Sequence, residues 1–268
     1  MNLLSFTKKL KQKSEDSSQY LNKYEDIYLD DTGSAELNDH LAQERMKLID
    51  KYIVRDGVSL DLCCGNGSYL EYLSRTSKIV YGADAIERYL DQARLKTINN
   101  SKVRLCQVDA RHLSQVYSNE IDFLTCFCSL YCIPDLNVVV TEVSRALKSN
   151  GIAVLEFGNW SSLAYFIGFV NSKIGINTTL YGISYKKVQD LINCNSMEIL
   201  ENKFFQLLPY FGTPRSLFFL RPFAGQYLRK FMSIYIFGKS LDERLASLII
   251  FRRIAFRFIV VVRKVDSQ

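Results

Sequence analysis

Histidine and proline are scarce in this chain, with two and four among its 268 residues. So little proline beside 48% hydrophobic residues suits a compact folded chain rather than a linker-rich one. At this length roughly 70–75% of the unfolded surface becomes buried, in one or two domains. His40 and His112 are the only imidazoles, which leaves few candidates for a general base. Long apolar runs are missing too. The best one, 245–262, is interrupted by Arg252, Arg253 and Arg257, so it falls short of a membrane-spanning helix. The first thirteen residues carry four lysines around too short an apolar core for a secretory signal. Internal repeats and low-complexity tracts do not occur.

Seven cysteines are present, several inside apolar strand-like stretches, and they read as reduced thiols rather than a disulfide framework. These features point to a cytoplasmic protein, with membrane association left open. A formal charge of +6 permits an acidic partner or a membrane surface without requiring nucleic acid. No nucleic-acid-binding module is recognisable, and the basic residues interleave with apolar aromatics, which disfavours nucleic acid as a partner.

What is present is concentrated at Leu60-Asp61-Leu62-Cys63-Cys64-Gly65-Asn66-Gly67-Ser68-Tyr69. An apolar run from Val58 ends in Asp61 and a glycine turn, after which Tyr69, Leu70, Tyr72 and Leu73 recur at helical spacing. Strand, tight loop and helix start follow one another, and amides at such a helix start suit an anionic ligand group. The dinucleotide pattern G-x-G-x-x-G is not completed, because Leu70 stands at the third glycine.

Downstream, strands are expected over 78–83, 103–108, 121–128 and 152–157, separated by helices over 86–96 and 136–147; a helix over 36–54 precedes them. Strands alternating with helices predict a parallel, doubly wound α/β sheet with right-handed crossovers. Asp61, Asp84, Asp109 and Cys128-Ser129 then all fall at strand ends, where such sheets bind ligands.

The loop resembles the first motif of class I S-adenosylmethionine-dependent methyltransferases. Its Asp-Leu-Cys-Cys-Gly form is similar to the ubiquinone/menaquinone C-methyltransferase branch. Val108-Asp109-Ala110-Arg111, Ile121-Asp122-Phe123-Leu124 with Leu130-Tyr131-Cys132-Ile133, and 142–151 resemble further motifs of the family, in order over 45–157. The resemblance implies a seven-stranded Rossmann-like sheet, mostly parallel with an antiparallel last strand, and S-adenosyl-L-methionine as cofactor. It implies a donor site of Asp61, Cys63, Gly65, Asn66 and Gly67, with Asp84 and Ala85 at the ribose. Asp109, Ala110 and Arg111 would lie at the adenine and Cys128 at the methionine moiety. Cys63 in place of the first glycine and Asn150 where proline is common depart from the pattern. A plain Rossmann-like nucleotide-binding unit and a nucleotide-dependent oxidoreductase are the competing readings of the loop.

On this resemblance 36–205 plus 251–268 form the core. Residues 1–35 form an N-terminal arm covering the donor, with Tyr20, Tyr24 or Tyr28 touching it. Residues 206–250 are an inserted, mainly helical lid on the acceptor side. From Asn202 to Leu241 there is no acidic residue, while six basic residues over 203–239 interleave with aromatics, seven of them Phe and Tyr over 218–237. That segment reads either as a packed lid or, over 206–240, as a surface for peripheral membrane contact. The acceptor is expected to be a small or lipid-linked molecule. His40 and Tyr131 are weak candidates for a catalytic role, His112 for a surface or donor-site role, and Trp160 and Tyr165 for the acceptor wall. Cys126 and Cys128 share a strand face, but without a fourth ligand at zinc-like spacing no metal is expected. A donor-binding module without catalysis is the alternative to an enzyme.

Overall fold

The computed structural model describes residues 40–113, 116, 118–162, 165–166, 181–207, 231, 234–237 and 239–265. All belong to the compact unit Ala35–Gln268. The expected donor-covering arm with its three tyrosines, and residues 208–230 of the insertion, lie outside the described residues.

Five short apolar runs become the parallel half of one sheet. They are β1 (Val58–Leu62), β2 (Ile79–Asp84), β3 (Val103–Gln107), β4 (Ile121–Cys126) and β5 (Leu147–Gly158). β1 and β4 are buried along almost their whole length because helices cover both faces, which is why they read as continuous rather than alternating hydrophobics. Two further strands, β6 (Met197–Phe205) and β9 (Arg257–Lys264), complete a seven-stranded sheet of order β3-β2-β1-β4-β5-β9-β6. β9 runs antiparallel to both β5 and β6 and sits between them. The expected sheet, mostly parallel with an antiparallel last strand, is therefore the observed one.

The connecting helices are α1 (His40–Tyr52), α2 (Leu70–Ser74), α3 (Glu87–Thr97), α4 (Leu136–Ala146) and α5 (Tyr185–Cys194). α5 starts where Ser184 accepts a hydrogen bond from the Lys187 amide, an N-cap readable from Ser-Tyr-Lys-Lys. Asn150, at the turn within β5, has φ +60°, a left-handed conformation that asparagine tolerates and the proline ring forbids. The departure from proline there follows from the turn.

The strand order reverses between β1 and β4, so the crevice beyond their carboxyl ends is the switch point of the sheet. The described part of the insertion is a two-stranded hairpin, β7 (Tyr235–Ile236) with β8 (Lys239–Ser240), followed by α6 (Leu241–Ser247) and α7 (Ile249–Arg252). Asp242 of α6 is fully buried and accepts from the amides of Gln206 (2.5 Å) and Leu207 (3.0 Å), tying the return of the insertion to the end of β6.

Candidate active site

β1 and β2 present two acids at the crevice. Asp61 pairs in register with Thr125 of β4, and its Oδ1 accepts from the Thr125 hydroxyl at 2.8 Å. Its other oxygen, Oδ2, is buried without a hydrogen-bond partner. Burial foremost, and the nearby Asp84 charge, push the Asp61 carboxyl up to about 7. Thr125 was not singled out by the sequence, since a threonine in an apolar strand carries no motif.

Asp84 ends β2 and is also buried. One oxygen accepts from the Gly65 amide at 2.8 Å and the other from the Ile86 amide at 2.9 Å. Burial raises its pKa while those amides oppose the shift. Each carboxylate oxygen retains a lone pair beyond the one used, so the group can still receive two hydroxyls. By tying Gly65 to β2, it also shapes the glycine loop.

The loop itself is wound left-handed at three positions, Cys63 (φ +58°), Gly65 (φ +52°) and Gly67 (φ +78°). A Cβ on Gly67 would approach Ala93 Cβ of α3 to 3.0 Å, so glycine lets the loop lie against that helix. A Cβ on Gly65 would meet nothing within 4 Å, leaving open space over the main chain at the start of α2. Asn66 holds the loop by accepting from the Ser68 hydroxyl at 2.7 Å.

Beyond β3, the Asp109 carboxylate is gripped by its own neighbour: Arg111 donates Nε at 3.1 Å and Nη2 at 2.7 Å. Ala110 is buried beside them, Ala85 is half-buried beyond β2, and His112 is exposed. On β4's side, Cys126 is buried and Cys128, at φ +58°, accepts through Sγ from Arg257 Nη1 at 3.2 Å. Tyr131 is buried in the single turn Leu130–Cys132, its ring 4.7 Å below the Arg257 guanidinium. Trp160 is 61% exposed, while the Tyr165 hydroxyl is buried without a partner. His40 opens α1. Among the described residues no three His, Cys, Asp or Glu side chains group as metal ligands.

Residues 60–155 match the family described as a methyltransferase domain. Over that stretch the chain is similar to a methyltransferase domain. Its curated relatives include a demethylmenaquinone methyltransferase of Staphylococcus carnosus, 33% identical over 132 residues, spanning 46% of this chain and 54% of that one. A demethylmenaquinone methyltransferase of Staphylococcus aureus is 32% identical over 127 residues, spanning 44% and 52%. The chain thus spans about half the length of the curated relatives it matches. Among solved structures, the YcgJ protein of Bacillus subtilis superposes with a TM-score of 0.60 at 18% identity, over 84% of this chain and all of that one. Magnesium protoporphyrin IX methyltransferase of Synechocystis, solved with bound S-adenosylhomocysteine, does so at 0.54 and 12% identity, over 92% and 95%. At those identities the structures establish the fold of the methyltransferase domain and nothing finer.

Proposed function

We propose that the chain is an S-adenosyl-L-methionine-dependent methyltransferase acting on a small-molecule or lipid-linked acceptor. One observation carries the reading: a buried carboxylate oxygen of Asp61 without a partner, beside a glycine loop with open space at Gly65. A buried, unpaired carboxylate oxygen is costly, and a cationic or N–H donor group of a ligand would satisfy it. The residues therefore fit the donor. Asp61 and the 63–67 loop would hold its amino-acid end, Asp84 its ribose hydroxyls, and the segment 109–111 its base. When bound, the sulfonium supplies an electrophilic methyl group. The chain's own contribution is to hold donor and acceptor in line and exclude water, worth about 7–11 kcal/mol for well-oriented reactants. Tyr131, buried under a guanidinium, is a wall of the acceptor side, and neither it nor His40 is assigned a proton transfer.

The names of the curated relatives make a quinone-type lipid the first acceptor to test. Peripheral membrane contact through 206–240 is supported by exposed Ile234, Tyr235, Ile236 and Phe237 on the hairpin, with Lys239 and Arg244 beside them. Among the described residues no helix is long and apolar enough to cross a membrane.

Calorimetry with S-adenosylhomocysteine beside NAD tests the donor class. Binding of the former alone is expected, and Asp84→Ala should weaken it by about 1–3 kcal/mol. NAD binding instead, or an unchanged affinity in the variant, overturns the assignment. Transfer of a labelled methyl group to quinone-type and other lipid acceptors then tests catalysis.

A further inference from the structure

Two arginines and one glutamate are buried together where β5, β9 and α1 meet. Glu156 is fully buried, Arg45 is 2% exposed and Arg257 is 7% exposed. Arg45 donates Nε to Glu156 Oε2 at 2.8 Å and Nη2 to Oε1 at 3.2 Å, and Arg257 Nη1 donates to Oε1 at 2.9 Å. Two guanidinium charges thus share one carboxylate. The neighbours that complete the cluster are hydroxyl, thiol and ring groups: the Tyr69 oxygen accepts from Arg45 Nη1, Cys128 Sγ accepts from Arg257 Nη1, and the faces of Tyr131 and Phe256 lie against Arg257. Among the described residues the cluster therefore keeps one positive charge in excess.

A buried ion is several kcal/mol less favourable than a hydrated one unless it is paired and fully hydrogen-bonded. The Arg45–Glu156 pair fits a strut fastening α1 to the sheet. Arg257 is left over, because its Nε is buried and donates to no acceptor. It is not alone at this edge. Arg257 lies opposite Gly158, the last residue of β5, and opposite Phe205, the last of β6. Just beyond those strand ends the Tyr165 hydroxyl, the Ser162 hydroxyl and the Gln206 amide are also buried without partners. The large majority of buried side-chain polar atoms are hydrogen-bonded, so four such residues at one sheet edge mark a place that receives a polar ligand group.

We propose that Arg257 is the seat of an anionic oxygen on the methyl acceptor, a carboxylate, phenolate or enolate carried on a flat apolar body. The inference rests on the methyltransferase reading for the word acceptor and on the geometry for the rest. Arg257 Nη1 touches Cys128 at the end of β4, so the cation lies against the expected donor side of the crevice. The rings of Tyr131 and Phe256 flank the guanidinium at 4.7 and 5.0 Å and give the cation an apolar, aromatic surround. An anionic nucleophile facing an electrophilic methyl group needs no histidine base, which agrees with the scarcity of histidine. Arg257 acts here as a positioning residue.

The test uses the whole chain without methyl donor, with benzoate as the anionic probe and benzamide as its neutral counterpart. Benzoate should bind about tenfold or more tightly than benzamide, as expected for one charge-assisted hydrogen bond. It should also shift the Nε–H resonance of Arg257 in the unsubstituted protein. Arg257→Gln should bring benzoate down to the benzamide affinity, and Arg257→Lys should keep part of the preference. Equal binding of both probes, or benzoate binding that leaves the Arg257 resonance unmoved, overturns the proposal even if the variants fail to fold. S-adenosylhomocysteine binding, measured separately, reports on the methyltransferase reading, so the two can fail independently.

Discussion

Asp61 shows how one side chain joins stability to binding. Its carboxyl is lifted from an ordinary 3.8 to about 7 by burial. The unfolded chain therefore loses this proton near pH 4, whereas the folded chain keeps it to about 7. Over that window the folded state binds more protons, so stability falls as pH rises and levels off above 7. The full effect is on the order of 4 kcal/mol, three units at about 1.4 kcal/mol each. Urea unfolding at pH 4.5 and 7.5 should show this loss in the parent and not in Asp61→Asn; equal slopes would refute the assignment. A cationic group delivered to Oδ2 reverses the shift. S-adenosylhomocysteine should accordingly bind with proton release between pH 5 and 7, read by calorimetry in buffers of different ionisation heat. Cys63 makes a separate point at this scale. It occupies a left-handed position, a conformation roughly 1–2 kcal/mol unfavourable for a residue with a Cβ. A glycine-like turn is thus held without glycine, which is why the loop was readable despite the substitution.

At the scale of elements, α6 is the joint that returns the insertion to the sheet. Ser240 accepts from the Glu243 amide, capping the helix, and Asp242 closes the two amides past β6. Asp242→Ala would strand both of those donors in a buried place, at about 1–3 kcal/mol each. Ser240→Ala removes one cap bond, about 1 kcal/mol. Denaturant unfolding should rank Asp242→Ala as clearly the more damaging of the two, and similar losses would show that the joint does not depend on the carboxylate. Ser-Leu-Asp-Glu has the spelling of a capping box. That spelling does not reveal that Asp242 faces inward, because its partners lie some 35 residues earlier in the chain.

For the whole molecule, the sheet places its two kinds of polar group on neighbouring stretches of one edge. The acids end β1 and β2, and the guanidinium cluster lies at the far ends of β4, β5 and β6. The hairpin carries Phe237 at 95% exposure near Lys239 and Arg244, on a chain of net charge +6. Vesicles containing an anionic phospholipid should therefore retain the protein at low salt, less so at 0.5 M salt, and Phe237→Ser should weaken retention. Equal retention on neutral vesicles, or none on anionic ones, would leave 206–240 as a packed lid.

The acids at the strand ends, the glycine loop and the alternation of strands and helices were legible in the sequence. Each is a local pattern: periodicity fixes which faces are buried, and a strand's last residue is found by counting from its turn. Glu156 and Arg257 were visible only as charges interrupting apolar strands, Leu155-Glu156-Phe157 and Phe256-Arg257-Phe258, with no spacing to join them. They are 101 residues apart, and Arg45 is 111 from Glu156. Antiparallel pairing of β9 with β5 and the packing of α1 bring the three together, and burial then turns an ordinary ion pair into an unbalanced positive site. The sequence by itself determined the sheet and the placing of the glycine loop and the acids at its strand ends. Only the tertiary structure decided the charge of the buried Arg45–Glu156–Arg257 cluster, because charge balance in a dry interior depends on which distant residues share it.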